Sequence, residues 1–172
     1  KDILPQQLTP ETFREQHAAL LSQYRVMTPD PIAGSRVVNG PYTVAANTQI
    51  LGDLVVNGDV LVKSGATVTG RIVARNVTIE KQARNVRLLG GIHANGIISI
   101  GQQVENSVFG ELVANGNIDW GQQVEDIEVN GPVSSGGTIT FSQQIREIVI
   151  HGPIISAGSI SFGQQIENFR VE

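Results

Sequence analysis

Ile118-Asp-Trp-Gly-Gln-Gln-Val-Glu-Asp126 is one of four versions of a single phrase. The others are Ile98-Ser-Ile-Gly-Gln-Gln-Val-Glu-Asn106, Ile139-Thr-Phe-Ser-Gln-Gln-Ile-Arg-Glu147 and Ile160-Ser-Phe-Gly-Gln-Gln-Ile-Glu-Asn168. The second glutamine of each pair falls at Gln103, Gln123, Gln144 and Gln165, with spacings of 20, 21 and 21. A fixed period in this range marks a stacked solenoid, whose repeats bury their apolar faces only against one another.

Inside each copy the apolar residues alternate. Ile118 and Trp120 flank Asp119, Ile127 and Val129 flank Glu128, and Ile139 and Phe141 flank Thr140. Period-two alternation over three to five residues means short strands with one face buried. Between them lie Asn115-Gly116, Asn130-Gly131-Pro132, Ser135-Gly136-Gly137 and Gly152-Pro153. These suit bends, because Gly and Asn accept positive φ at low cost and Pro presets φ near −65°. Three short strands and three bends per period predict an all-β chain, one rung of a parallel β-helix per repeat. About seven coils fit the length, and the crossover rule gives right-handed winding. A helical reading fails, since the apolar period is two and glycine recurs too often for helix interiors. An antiparallel sandwich gives no reason for like residues to recur every 20 or 21 positions.

Stacking turns repeats into columns. Ile98, Ile118, Ile139 and Ile160 form one inward column, and Ile100, Trp120, Phe141 and Phe162 a second. Gln82, Gln103, Gln123, Gln144 and Gln165 form a structural ladder, in which stacked amides are expected to hydrogen bond along the axis. Beside it, Arg84, Glu105, Glu125, Arg146 and Glu167 place opposite charges on neighbouring strands at every step but Glu105 to Glu125, which fits register control. Thr78, Ser99, Asp119, Thr140 and Ser161 form an outward column too irregular for an ice- or glycan-binding face.

The early coils are shorter. Thr43–Asp59 and Val60–Asn76 read as 17 residues each, and Val77–Ile97 as 21, so the later coils widen one side by about four residues.

Residues 1–35 follow a different pattern. Thr9-Pro10-Glu11 is a helix start, with Thr as cap, Pro at the first helical position and an acid in the first turn. Phe13, His17, Leu20, Leu21 and Tyr24 then form a single stripe, and Pro29 and Pro31 end the helix near Met27. The chain thus divides into an N-terminal amphipathic helix with a proline-containing linker (1–35) and a β-solenoid domain (36–172). The helix is expected to cover the open N-terminal end or a flank of the solenoid, since exposed strand edges invite aggregation.

Composition narrows the function classes. The 172 residues carry a net charge of −4, which gives no support to nucleic-acid binding. The absence of cysteine excludes disulfides and thiolate chemistry, and no apolar run approaches a membrane span. Neither histidine of the solenoid reads as a catalytic base. His93 aligns with Val113, Ser134 and Ile155, and His151 with Leu89, Phe109 and Asn130, so the two belong to different columns. Gly90-Gly91 and Gly136-Gly137 sit at bends and precede no helix, as a phosphate loop would require. No catalytic, cofactor or metal site is expected.

The run from Val56 to Ile79, with Gly58-Asp59, Gly65-Ala66 and the Gly70-x-Ile-x-Ala74 phrase, resembles the bactofilin family of bacterial polymer-forming cytoskeletal proteins. The resemblance covers roughly 43–97; the remainder is similar only as a general β-helix. It implies a scaffold that assembles end to end without nucleotide, in the cytoplasm near a membrane. The residues point the same way. The last coil leaves Phe162, Ile166, Phe169 and Val171 with no polar cap. The expected function is therefore a non-enzymatic structural protein that self-associates through solenoid ends, its partners being other copies of itself and membrane-associated or envelope proteins. The alternative is an exported surface or appendage protein that uses the solenoid as a rigid spacer or binding module. A removed upstream signal or anchor would place it in the periplasm or on the cell surface.

Overall fold

The computed structural model describes residues 35–172. The expected helix and its stripe, Phe13, His17, Leu20, Leu21 and Tyr24, lie outside the described residues. From Arg36 the chain winds through seven coils, each laying a short strand on each of three faces. The first coil holds β1 (Arg36–Asn39), β2 (Tyr42–Val44) and β3 (Gln49–Ile50). The second holds β4 (Leu54–Asn57), β5 (Val60–Val62) and β6 (Thr67–Val68), and the third β7 (Ile72–Ala74), β8 (Val77–Ile79) and β9 (Arg87–Leu88). Next come β10 (Ile92–Ala94), β11 (Ile98–Ile100), β12 (Glu105–Ala114), β13 (Ile118–Trp120), β14 (Glu125–Ser135) and β15 (Ile139–Phe141). The last are β16 (Arg146–Ile150), β17 (Ile154–Ser156), β18 (Ile160–Phe162) and β19 (Glu167–Val171).

Every pairing between coils is parallel and joins equivalent residues. Ile98 lies over Ile118, Ile118 over Ile139 and Ile139 over Ile160; Ile100, Trp120, Phe141 and Phe162 follow in the same register. One face is a seven-stranded sheet in the order β18-β15-β13-β11-β8-β5-β2. The other two faces join into one 12-stranded sheet, because two corners are bridged by continuous strands. β12 and β14 run through their bends at 10 and 11 residues, and a register shift between Gly110 and Leu112 absorbs the turn. The sequence predicts a break there, since Gly131-Pro132 punctuates the strand. A bulge bends a strand without ending its ladder.

The first coil also differs from its expected register. Tyr42, not Thr43, lies over Val60, giving a period of 18. A shift by one would turn Val44 outward, and Val44 is buried over Val62 in the core. Register follows the apolar face. β1, which begins at Arg36, pairs with β4 in parallel register.

The core is one continuous column of Val, Ile and Leu, with Phe109, Trp120 and Phe141 filling the wider coils. The aromatic rings stack along the axis: Trp120 and Phe141 have centroids 5.1 Å apart, and Phe141 and Phe162 lie 4.8 Å apart and nearly parallel. The widening appears as expected, at the corner after the seven-stranded sheet, where Lys63-Ser64-Gly65 gives way to the longer Glu80–Asn85 bend.

Candidate functional site

The glutamine corner is built by backbone conformation first. In all seven coils one bend residue is left-handed: Asn47, Gly65, Asn85, Asn106, Asp126, Glu147 and Asn168, with φ between 50 and 76°. Asn47 N–H donates to Ser64 O and Gly65 N–H to Arg84 O, which links the narrow and wide coils through this column. The wide coils add a second left-handed residue, the later glutamine of each pair, with φ from 60 to 64°. Its N–H donates to the carbonyl of the first glutamine one coil on: Gln103 to Gln122 (2.9 Å), Gln123 to Gln143 (3.0 Å) and Gln144 to Gln164 (2.8 Å).

Amide-to-amide side-chain bonds occur in two neighbouring columns, at one step of the expected ladder and two steps of the column beside it. Gln82 Nε2 donates to Gln103 Oε1 at 3.1 Å in the ladder singled out from the sequence. The neighbouring column carries two such bonds, from Gln122 Nε2 to Gln102 Oε1 (3.3 Å) and from Gln143 Nε2 to Gln122 Oε1 (3.1 Å). The charge column stands in the expected order, with Arg84 over Glu105, Glu105 over Glu125, Glu125 over Arg146 and Arg146 over Glu167. Arg84 pairs with Glu105, and Arg146 Nη2 lies 3.0 Å from Glu125 Oε2. That hydrogen bond to Glu125 and the surrounding carboxylates hold the Arg146 guanidinium above its ordinary value. On the narrow coils, Arg75 Nε donates to Asp59 Oδ1 at 3.1 Å and keeps the Asp59 carboxyl below its ordinary value.

The four residues singled out for self-association lie together on the last described coil. Phe162 and Val171 are exposed, Phe169 and Ile166 are partly buried against the core, and Ile160 is exposed beside them. Phe169 meets Phe141 and Phe162 edge-on, with centroids at 4.9 and 5.3 Å. Among the described residues β18 pairs with β15 alone and β19 with β16 alone, so one edge of each strand is unpaired there.

A groove of about 750 Å³ runs along the outside of the last four coils, between the left-handed column and the Val108, Glu128, Val149 and Arg170 positions. Within it His151 bridges two acids, with Nε2 3.2 Å from Glu128 and Nδ1 3.1 Å from Glu172. Sequence reasoning missed this cluster. Gly110, not Phe109, lies over Asn130 on this face, because Phe109 points inward between Leu88 and Val129. Among the described residues no group of three or more His, Cys, Asp or Glu gathers as a metal site. His93 stands where the sequence puts it, over Val113, with its ring against Glu111, and Arg71 lies 3.6 Å from the same carboxylate.

No protein-family model, curated protein or solved structure matches the chain.

Proposed function

We propose that the chain is a non-enzymatic scaffold element, bactofilin-like in kind and right-handed in its winding, whose copies join through the coil formed by β17, β18 and β19. The observation that carries this is the outer surface of that coil. It continues the core columns with apolar side chains, Ile160 40%, Phe162 48% and Val171 49% exposed, beside strand edges that are unpaired among the described residues. A parallel edge of this kind templates a further strand, and apolar surface removed from water contributes about 25 cal/mol per Å².

The outline of the coil favours like meeting like. The last coils repeat every 21 residues and carry the glutamine corner, whereas the first coil spans 18 and lacks it. Two copies related by a two-fold axis present matching outlines to each other, which a head-to-tail contact does not. The likeness of residues 43–97 to the bactofilin family supports the scaffold class, and membrane-associated or envelope proteins as further partners follow from that likeness alone.

Size-exclusion chromatography with light scattering over a concentration series tests the proposal. The expected result is a doubling of mass that Phe162→Arg abolishes while the β-sheet circular dichroism stays unchanged. Growth beyond two copies keeps the scaffold and replaces the two-fold contact with an open-ended one. A strict monomer at every concentration overturns it.

A further inference from the structure

We infer that His151 is a proton-operated staple that sets how firmly β19, and with it the joining surface of the last coil, is held on the solenoid. The staple itself stands without the scaffold proposal; its effect on joining rests on that reading. His151 follows directly after β16, and Ile150 lies over Val171, so the next position in that register is Glu172. His151 Nδ1 stands 3.1 Å from Glu172 Oε1, and Nε2 stands 3.2 Å from Glu128 Oε2 on β14. One imidazole thus touches a carboxylate of the coil before it and a carboxylate of the coil after it. A carboxylate only accepts, whereas a neutral imidazole has one N–H and one lone pair. Neutral His151 therefore satisfies one acid while aiming a lone pair at the other. Only the imidazolium, with a proton on each nitrogen, attracts both.

The surroundings give the released acid somewhere to go. Arg170 Nη1 lies 4.0 Å from Glu172 Oε2, so Glu172 turns to its neighbour on β19 when the ring gives up its proton. Asp126 of β14 and Glu147 of β16 line the same groove, and Glu147 accepts from Asn168 Nδ2. Four carboxylates and one guanidinium therefore surround the ring. The two His151 contacts tie coils together, whereas the contact between Arg170 and Glu172 joins none. The closed staple holds one proton more than the open one, so acid favours closure. A histidine changes charge between about pH 5 and 8, and a glutamate is neutralised only near about 4.3. The staple is complete between those ranges and is lost as pH rises through the histidine range. The side chains of His151, Glu128 and Glu172 are 39, 49 and 48% exposed, so solvent screens each contact and the effect is a few-fold. β19 carries Phe169 and Val171, and a strand already held in place meets a second copy at a lower ordering cost. Acid then strengthens joining as well.

Hydrogen-exchange mass spectrometry on dilute full chain, at about pH 5 and about pH 7.5, tests the staple once each rate is divided by its intrinsic chemical rate. Protection of β19 is expected to be about threefold higher at the lower pH, with β11 and β13 unchanged. His151→Gln keeps a polar side chain that does not titrate, and should abolish the difference. Circular dichroism checks that this variant is folded, and Glu172→Gln, which removes one arm, repeats the measurement if it is not. The same pH response with and without His151 overturns the staple, and so does β19 protection that falls in acid. Light scattering on concentrated protein at the same two pH values then tests the effect on joining. A Kd about threefold lower in acid, with no such change in His151→Gln, is the expected result. Joining of equal strength at both pH values overturns the proton control and keeps the scaffold proposal. A strict monomer whose β19 protection still follows pH keeps the staple and overturns the scaffold proposal.

Discussion

Glu147 is the residue least suited to its place. It holds φ 55° in a column where every other member is Asn, Asp or Gly. A side chain without local backbone hydrogen bonding costs roughly 1–2 kcal/mol in the left-handed region, and Asn less. Glu147→Asn should therefore raise stability by about 0.5–1 kcal/mol, read from the urea midpoint at constant slope. By the same argument Gln123→Val, a β-branched residue at φ 60°, should cost about 1–3 kcal/mol. Asp119 makes a different test. It stands between Ser99 and Thr140 on the outward column, and burial raises its carboxyl above the ordinary 3.8. A raised folded value means that protonation favours the fold. The benefit is complete below 3.8 and is lost as pH rises through the folded value, leaving the ionised group a net cost at neutral pH. Partial exposure screens that cost. Asp119→Asn should stabilise the protein at pH 7 by no more than about 0.5 kcal/mol. Urea melts should show the difference between the two chains shrinking toward zero below pH 3.8.

At the scale of strand and corner, space decides more than propensity. A methyl at Gly90 would stand 2.2 Å from the Gly70 backbone in the coil beneath, so Gly90→Ala should cost roughly 2–3 kcal/mol by chemical denaturation. Trp120 fills the same column as Ile100 and Phe141, fully buried, with its Nε1–H lacking a partner among the described residues. Trp120→Ala should lose about 3–5 kcal/mol to the cavity. Trp120→Phe should come close to neutral in the same melt, because smaller packing is offset by removing an unsatisfied donor worth about 1–3 kcal/mol. These columns were legible in the sequence because stacking places identical positions over each other, and a recurring Ile-x-Trp or Ile-x-Phe can be aligned by eye. The continuous corners at Gly110 and Gly131 were not, since a bulge and a break use the same residues. The cluster of Glu128, His151 and Glu172 was missed because Glu128 comes from a different position of the repeat, although His151 and Glu172 lie one period of 21 apart.

Among the described residues the molecule is quasi-one-dimensional: each coil pairs with the coils before and after it, so stability is approximately a sum of neighbouring interfaces. An inner coil has two such interfaces and the last described coil has one. β11 and β13 are each paired on both sides, and β18 only on the side of β15. Opening free energies should then fall along the axis, with the amides of β11 and β13 exchanging near the global limit and those of β18 and β19 fastest. This gradient is intrinsic to the fold and does not depend on the scaffold proposal. Association changes it in a specific way. A partner strand laid on β18 supplies the missing interface, so exchange at Ile160, Ser161 and Phe162 should slow as protein concentration rises, while β11 and β13 stay constant. The binding term grows as the logarithm of concentration over Kd, adding roughly 2.7 kcal/mol at a hundredfold excess. Phe162→Arg removes the dependence without altering the inner coils. Hydrogen-exchange mass spectrometry at two concentrations separates the cases: a gradient that steepens on dilution marks copies joining through the last coil, and one that does not move marks a solenoid acting alone.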